Sequence, residues 1–376
     1  MYQTIIFRHN NISSLASLLK MGYSFCSTRL EGGTMLYSLY NADRPVATFA
    51  YDKGVIIVFN ITEANLLPMQ IRQASAEGFA QWLRERAIDL NTFLHRQLAN
   101  ELVGSRDKTA VAITTHMFSV SDTFTCFPEG EFIPRNALCK VEDQDSVSDF
   151  ILSSGEIPLR SRNIATPNAS TDGSFPKTWK FENGAWWLYK LQSATATRSE
   201  RDISHVLMEC GWDAAEYQYC GSYRNRIKSR NFVGKDEFFE PYDSLRFMFP
   251  DKSDDEKVIY ENIASLGADF EKQFRRILLT DALFMNTDRH MRNYGVIRSA
   301  KTGEILRMAP NFDNNQAYKS NPGGHYSDGM LKSFLHVYEL RAGDIADLNL
   351  LLDACAKKPF LADVCEVGRT FLNKYT

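Results

Sequence analysis

Leu278–Asn315 reads LLTDALFMNTDRHMRNYGVIRSAKTGEILRMAPNFDNN, and its punctuation decides the fold. An apolar helical run ends near Asn286-Thr287, Asp288 follows in a polar loop, and Asn293 stands just before a strand over Tyr294–Arg298. Lys301-Thr302-Gly303 turns the chain, and Glu304–Met308 runs back. In such a hairpin the residue before the first strand and the residue after the second finish at the same end. Asn293 and Asp313 are therefore expected together, with Asp288 close by. One amide oxygen and two carboxylates converging on one spot offer hard-oxygen ligands suited to Mg²⁺ and a group able to accept a proton.

Phosphoryl transfer needs such a set: one carboxylate to orient and deprotonate the attacking hydroxyl, and an Asn and an Asp to hold magnesium against the phosphates. Asp288, Asn293 and Asp313 are the candidate catalytic residues, with Asn293 and Asp313 as the metal ligands. The bland alternative makes Asp288 and Asn293 turn and cap residues and Asp313 the start of a surface turn. Upstream residues weigh against it. Lys190 ends the apolar strand Trp186-Trp187-Leu188-Tyr189, where a kinase puts the lysine that grips the α- and β-phosphates. Glu200 opens the next helix, positioned to pair with it. Singly, a strand-end lysine is a solvated end and a first-turn glutamate compensates a helix dipole; in this order they reinforce the Asp/Asn/Asp set. Ser170-Thr171-Asp172-Gly173-Ser174-Phe175-Pro176-Lys177 stands where a Gly-rich loop belongs, with one glycine and no GxGxxG. Its backbone amides and hydroxyls suit phosphate, although an ordinary linker is the alternative. Ser170, Thr171, Gly173, Ser174 and Lys177 thus join Lys190 and Glu200 as candidate nucleotide-binding residues.

Outward from this core, TMLYSLYN, PVATFAYD and GVIIVFN, between Thr34 and Asn60, are separated by turn signals and read as a β-meander. Helical patterns follow at Ala76/Phe79/Leu83 and at Leu94/Leu98/Leu102, the latter opened by Asn91 as cap. Val111–Phe127 favours strand and Asp145–Leu152 a short helix. Of the 18 residues from Ser161 to Thr178, 11 are Ser, Thr, Asn, Pro or Gly, a linker running into a functional loop. Thr178–Phe181 and Ala185–Leu191 form a hairpin across Glu182-Asn183-Gly184. A helix is expected from about Ser199 to Cys210, an irregular aromatic stretch over Phe232–Phe249, and helices over Glu256–Ala282, Ile345–Ala356 and Phe360–Phe371. The fold class expected is α+β, a bilobal protein-kinase-like fold with an extra N-terminal α+β subdomain. Its divisions are an N-terminal subdomain (1–160), an N-lobe with the phosphate loop (161–240) and a helical C-lobe with the catalytic and metal loops (241–376).

The runs Asn286–Gly295, Ala309–Asn314 and Thr171–Lys177, with Lys190 followed by Glu200, resemble the HipA-like serine/threonine kinases, bacterial proteins that are often the toxin of a toxin-antitoxin pair. The resemblance covers about Pro167–Phe334, with Asn231–Leu245 in the place of the interlobe region, and is weaker over the N-terminal part. It implies Asp288 as catalytic base, Asn293 and Asp313 as magnesium ligands and Lys190 as phosphate anchor. It further implies ATP and Mg²⁺ as cofactors, a protein substrate, an antitoxin partner, and self-phosphorylation at Ser170, Thr171 or Ser174. Asn311-Phe312-Asp313-Asn314 lacks the glycine of a DFG loop, which the family tolerates; Phe175-Pro176 is bulkier than a Gly-rich loop allows.

Composition sets the remaining bounds. With 376 residues, 43 Lys+Arg against 46 Asp+Glu and a net charge of −3, no global electrostatic pull toward nucleic acid or anionic membrane exists. Hydrophobic content of 44% and charge of 24% are those of a globular chain. No apolar run approaches the roughly 18 residues that span a bilayer, and a signal-peptide core is missing, so a cytoplasmic protein is expected. Seven scattered cysteines without a CxxC pair indicate reduced thiols and no zinc ribbon. Arg224, Arg226, Lys228 and Arg230 alternate like an exposed strand face, but direct nucleic-acid binding is the lesser reading. Two alternatives to a protein kinase stand: a small-molecule or lipid kinase, since Asp-Arg-His-x-x-Asn also resembles the phosphoinositide-kinase catalytic loop, and a catalytically silent regulatory subunit of a toxin-antitoxin system.

Overall fold

Turn signals and alternating apolar residues fold the first described segment into a meander: Met35–Asn41 (β1), Arg44–Asp52 (β2) and Val55–Ile61 (β3) pair antiparallel. The structure, a computed structural model, describes residues 34–90, 93–138, 147–148, 151–152, 165–170, 176–221, 224–320 and 326–375. Asn91, Cys26, Cys139, Thr171–Phe175 and much of Asp145–Leu152 lie outside them. Helices Ala76–Arg86 (α1), Phe93–Val103 (α2) and Lys108–Thr114 (α3) follow the meander. Phe124–Pro128 (β4) then pairs with β1, giving the order β3-β2-β1-β4. Leu39, Phe49, Phe79, Leu83, Val111 and Phe124 share one buried core.

The strand expected over Val111–Phe127 is therefore only partly present. Asp107 caps α3, its carboxylate accepting from the Ala110 amide at 2.7 Å. Val111 and Ile113 are buried, and that burial outweighs a β-branched helix penalty of about 0.5 kcal/mol per residue.

Lys177–Glu182 (β5) and Ala185–Leu191 (β6) form the expected hairpin. Asn183 and Gly184 both take positive φ, 49° and 78°, the backbone a tight two-residue hairpin turn demands. Tyr217–Tyr219 (β7) and Arg226–Arg230 (β8) complete a sheet ordered β5-β6-β8-β7. The helix between β6 and β7, Ala194–Glu209 (α4), starts at Ala194 and not at Ser199. Ser193 caps it, its hydroxyl accepting from the Ala196 amide at 3.1 Å; the polar text Ala194-Thr195-Ala196-Thr197 disguises the first turn. Glu200 consequently lies beyond the first turn, fully buried, where dipole compensation does not account for it.

The stretch expected to be irregular, Phe232–Phe249, contains Glu237–Pro241 (β9). This strand pairs with Gly295–Ser299 (β10), which pairs with Ile305–Met308 (β11). A Cβ at Gly295 would lie 2.2 Å from the Glu240 carbonyl oxygen, so only glycine admits this strand crossing. The helices of this half are Glu256–Ala264 (α5), Ala268–Phe284 (α6), Gly329–Tyr338 (α7), Ala342–Cys355 (α8) and Ala362–Tyr375 (α9). Leu283, Leu348, Leu352 and Phe371 meet Ile203 and Leu207 of α4 in the helical core. No helix among the described residues is long and apolar enough to cross a membrane.

Arg298 on β10 ties the N-terminal subdomain to this lobe. Its guanidinium donates to Leu67 O at 3.0 Å, Asn65 O at 2.8 Å, Gly303 O at 2.7 and 2.9 Å, and the Glu240 carboxylate. Glu240 also accepts from the Met69 amide and, at 2.6 Å, from the Ser244 hydroxyl.

Candidate active site

β6 is flanked by β5 and β8, so Lys190 stands on a central strand, in register with Lys177 and Ile227. Its ammonium donates to Glu200 Oε1 at 2.6 Å and to Asp313 Oδ1 at 2.7 Å. The other Glu200 oxygen accepts from Gln192 Nε2 at 2.5 Å. Asp313 adopts a left-handed backbone, φ 59°, and its amide donates to the Tyr217 hydroxyl at 3.1 Å.

Electrostatics bind the three groups into a unit. Burial alone would lower Lys190, yet the carboxylates of Asp313 and Glu200 hold it well above the usual lysine range. Burial works against ionised Asp313 too, and the ammonium of Lys190, helped by Lys177, still keeps its carboxyl well below the usual range. Burial raises Glu200, with Lys190 pulling it back and Asp313 adding to the rise. Lys190 is thereby held protonated between the side chains of Glu200 and Asp313.

The loop that carries Asp288 and Asn293 is fastened in place by a hub that the sequence reading missed; Asn293 lines the cleft with Asp313, whereas Asp288 is not among the residues on its walls. Helix α6 ends at Phe284, with Met285 left-handed at φ 51°. Arg289 then turns inward, donating to Asp281 at 2.8 and 2.9 Å and to Asn314 Oδ1 at 2.8 Å. It also donates to Asn293 O at 3.1 Å and Phe312 O at 2.6 Å, so one side chain fastens the loop of Asp288 to the loop of Asp313. Asn286 adds a bond to Asp281 at 3.0 Å. The available signal was an acid inside an apolar helix, Leu278-Leu279-Thr280-Asp281-Ala282-Leu283-Phe284: a buried carboxylate needs a partner.

A cleft of about 400 Å³ opens between the lobes, with Lys190, Asp313, Asn293, Lys177, Ser170 and Phe312 on its walls. Ser170 ends a short turn, its hydroxyl donating to Pro167 O at 2.9 Å. Thr171, Gly173 and Ser174 lie outside the described residues. Asp288 is exposed on its loop, its carbonyl accepting from Asn293 Nδ2 at 3.2 Å. His290 is exposed on the cleft and accepts from the Arg292 amide at 3.3 Å. The basic strand β8 is engaged within its sheet: Lys228 donates to Glu182 at 2.7 Å and Arg230 lies 3.8 Å from Glu216. The N-terminal subdomain contributes Gln70, Glu85 and Arg86 to the cleft, which the sequence did not foretell.

Among the described residues no group of three or more His, Cys, Asp or Glu could hold a metal. Asn293 and Asp313 both line the cleft and carry oxygen donors of the kind that Mg²⁺ takes at phosphate sites.

A sheet bearing a buried lysine, a glutamate from the adjoining helix and a helical lobe bearing the Asp-x4-Asn loop make up a bilobal kinase-like architecture. HipA of Shewanella oneidensis MR-1, solved with HipB and its operator DNA, superposes on 90% of this chain and 94% of its own, with 12% identity and a TM-score of 0.55. The Helicobacter pylori proinflammatory kinase CtkA matches 53% of this chain and 89% of its own, with 16% identity and a TM-score of 0.37. No protein-family model matches the sequence, and no curated protein matches it. The chain has a HipA-like fold over most of its length.

Proposed function

We propose that this protein is an ATP- and Mg²⁺-dependent serine/threonine protein kinase of the HipA type, acting in the cytoplasm. The carrying observation is the Lys190 ammonium, shared by Glu200 and Asp313 at the wall of a cleft that Asn293 also lines. Glu200 holds Lys190 where it can anchor phosphate oxygens. Asp313 and Asn293 would hold a magnesium ion, which would supply neutralising charge to the phosphates. The substrate hydroxyl oxygen attacks the γ-phosphorus, its proton passes to Asp288, and the bond to the β,γ-bridging oxygen breaks to release ADP. Arg289 positions both loops without touching the reacting atoms.

Two further elements belong to this proposal. Self-phosphorylation of Ser170, Thr171 or Ser174 would add about −1.5 to −2 charge beside the nucleotide phosphates and repel the loop from them. An antitoxin-like protein is the proposed partner, by analogy with the HipB bound to Shewanella HipA.

Incubating the purified chain with γ-labelled ATP, Mg²⁺ and a bacterial lysate tests this reading. Label on protein serine or threonine is expected, with Lys190→Ala reducing transfer at least about a hundredfold. Transfer unchanged in that variant would remove Lys190 from the mechanism, and label confined to lipid or small molecules would replace the protein substrate.

A further inference from the structure

Beyond the phosphate-anchoring and metal-binding residues, the cleft continues along a wall made by two subdomains. Glu85 and Gln70 come from the N-terminal subdomain, Asp243 and Ser244 from the segment after β9. These groups are contiguous. Gln70 Nε2 donates to Glu85 at 2.9 Å, the Gln70 amide to the Ser244 hydroxyl at 3.3 Å, and the Asp243 amide to Met291 O at 3.1 Å, within the loop that carries Asp288. Among the described residues Glu85 accepts from the side-chain amides of Gln70 and Gln81, while Asp243 shares Arg246 at 3.2 Å.

Just beyond this wall Phe247 and Met248 are 42% and 41% exposed. Acids outnumber bases five to three between residues 243 and 257. Arg246 is already tied to Asp254 at 2.5 Å and lies 5.9 Å over the Phe247 ring, Lys252 stands 5.2 Å over the same ring, Arg86 beside Glu85 is paired with Asp122, and Arg292 also lines this side of the cleft. An apolar doublet inside a net-negative rim, next to the loop of the catalytic base, suits a cationic and apolar peptide and repels a phosphate-rich polymer.

We propose that this wall selects the protein substrate: Glu85 and Asp243 receive an arginine or lysine flanking the phosphorylated hydroxyl, and Phe247 with Met248 receives a large apolar residue beyond it. The proposal deepens the kinase reading and rests on it for the acceptor's position. Fluorescence polarisation with the full chain tests it, using two labelled peptides with a central serine, one flanked by arginines with a leucine beyond, the other with glutamates in place of the arginines. The basic peptide is expected to bind roughly tenfold tighter, a difference of about 1.4 kcal/mol. That preference should shrink between low and high salt and largely vanish in the Glu85→Gln/Asp243→Asn double variant, and replacing the leucine by alanine should matter less in Phe247→Ala/Met248→Ala than in wild type. Equal binding of the two peptides, or a preference indifferent to both salt and the double variant, overturns it. Charge-selective binding without any phosphate transfer would uphold the docking wall and overturn the kinase reading. Transfer to serine regardless of flanking charge would overturn the wall alone.

Discussion

Arg298 and Lys190 are both buried cations on central strands facing carboxylates, and they are finished differently. Arg298 and its partner Glu240 have side chains 0% and 1% exposed, and every guanidinium nitrogen donates to a carbonyl or carboxylate. Lys190 is 7% exposed, but Asp313 is 23% exposed on an open cleft. One ammonium serves two carboxylates there, and incoming charge can rearrange them. A closed, saturated pair fixes geometry; an open, shared one is poised to exchange partners. The first holds the N-terminal subdomain against the C-lobe, and the second is where a ligand can act.

The largest effect should come from the closed pair. Arg298→Met leaves Glu240 buried and uncompensated, which should cost about 3–5 kcal/mol by urea unfolding. Lys190→Met should cost less stability, because water reaches Asp313 and Glu200 keeps its Gln192 donor, while nucleotide binding suffers. Equal destabilisation with intact nucleotide binding would break the comparison.

Next is Arg289, saturated like Arg298 yet placed beside the open cluster. Arg289→Leu should release both loops and lower kcat roughly a hundredfold, with the KM for ATP moving much less. A change confined to KM would make Arg289 a binding residue instead.

The smallest effect is in acid. Asp313 has its carboxyl depressed in the folded state, so its stabilising contribution is present above the unfolded value of about 3.9 and is lost as pH falls below it. The stability gap between wild type and Asp313→Asn should therefore narrow as pH is lowered from about 5 toward 2, as denaturant titrations at each pH would record. A gap that widened would mean Lys190 does not hold this carboxylate.

The open cluster was partly legible in the sequence, because kinase-like spacing places Lys190, Glu200, Asn293 and Asp313 in a fixed order on recognisable elements. Turn chemistry at Asn183-Gly184 and Lys301-Thr302-Gly303 likewise exposed the two hairpins. The closed clusters stayed hidden. Arg298 inside Gly295–Ser299 and Glu240 inside Glu237–Pro241 are charges in buried strands, an anomaly visible in sequence, but their pairing spans distant parts of the chain. Arg289 was read merely as part of a motif, whereas its work is to join Asp281 to two loops. The start of α4 was obscured because Ala and Thr carry little apolar periodicity, and α3 because Val and Ile read as strand until Asp107 is seen to cap it.

The central claim, that Asp288 handles the proton and Asp313 the metal, is tested most directly by titrating ATP binding with and without Mg²⁺ in Asp288→Asn and Asp313→Asn, alongside turnover. Asp288→Asn should keep metal-dependent binding nearly intact while turnover falls roughly a hundred- to ten-thousandfold. Asp313→Asn should lose both turnover and the magnesium-dependent part of the affinity. Metal-dependent binding abolished in Asp288→Asn and untouched in Asp313→Asn would contradict the account.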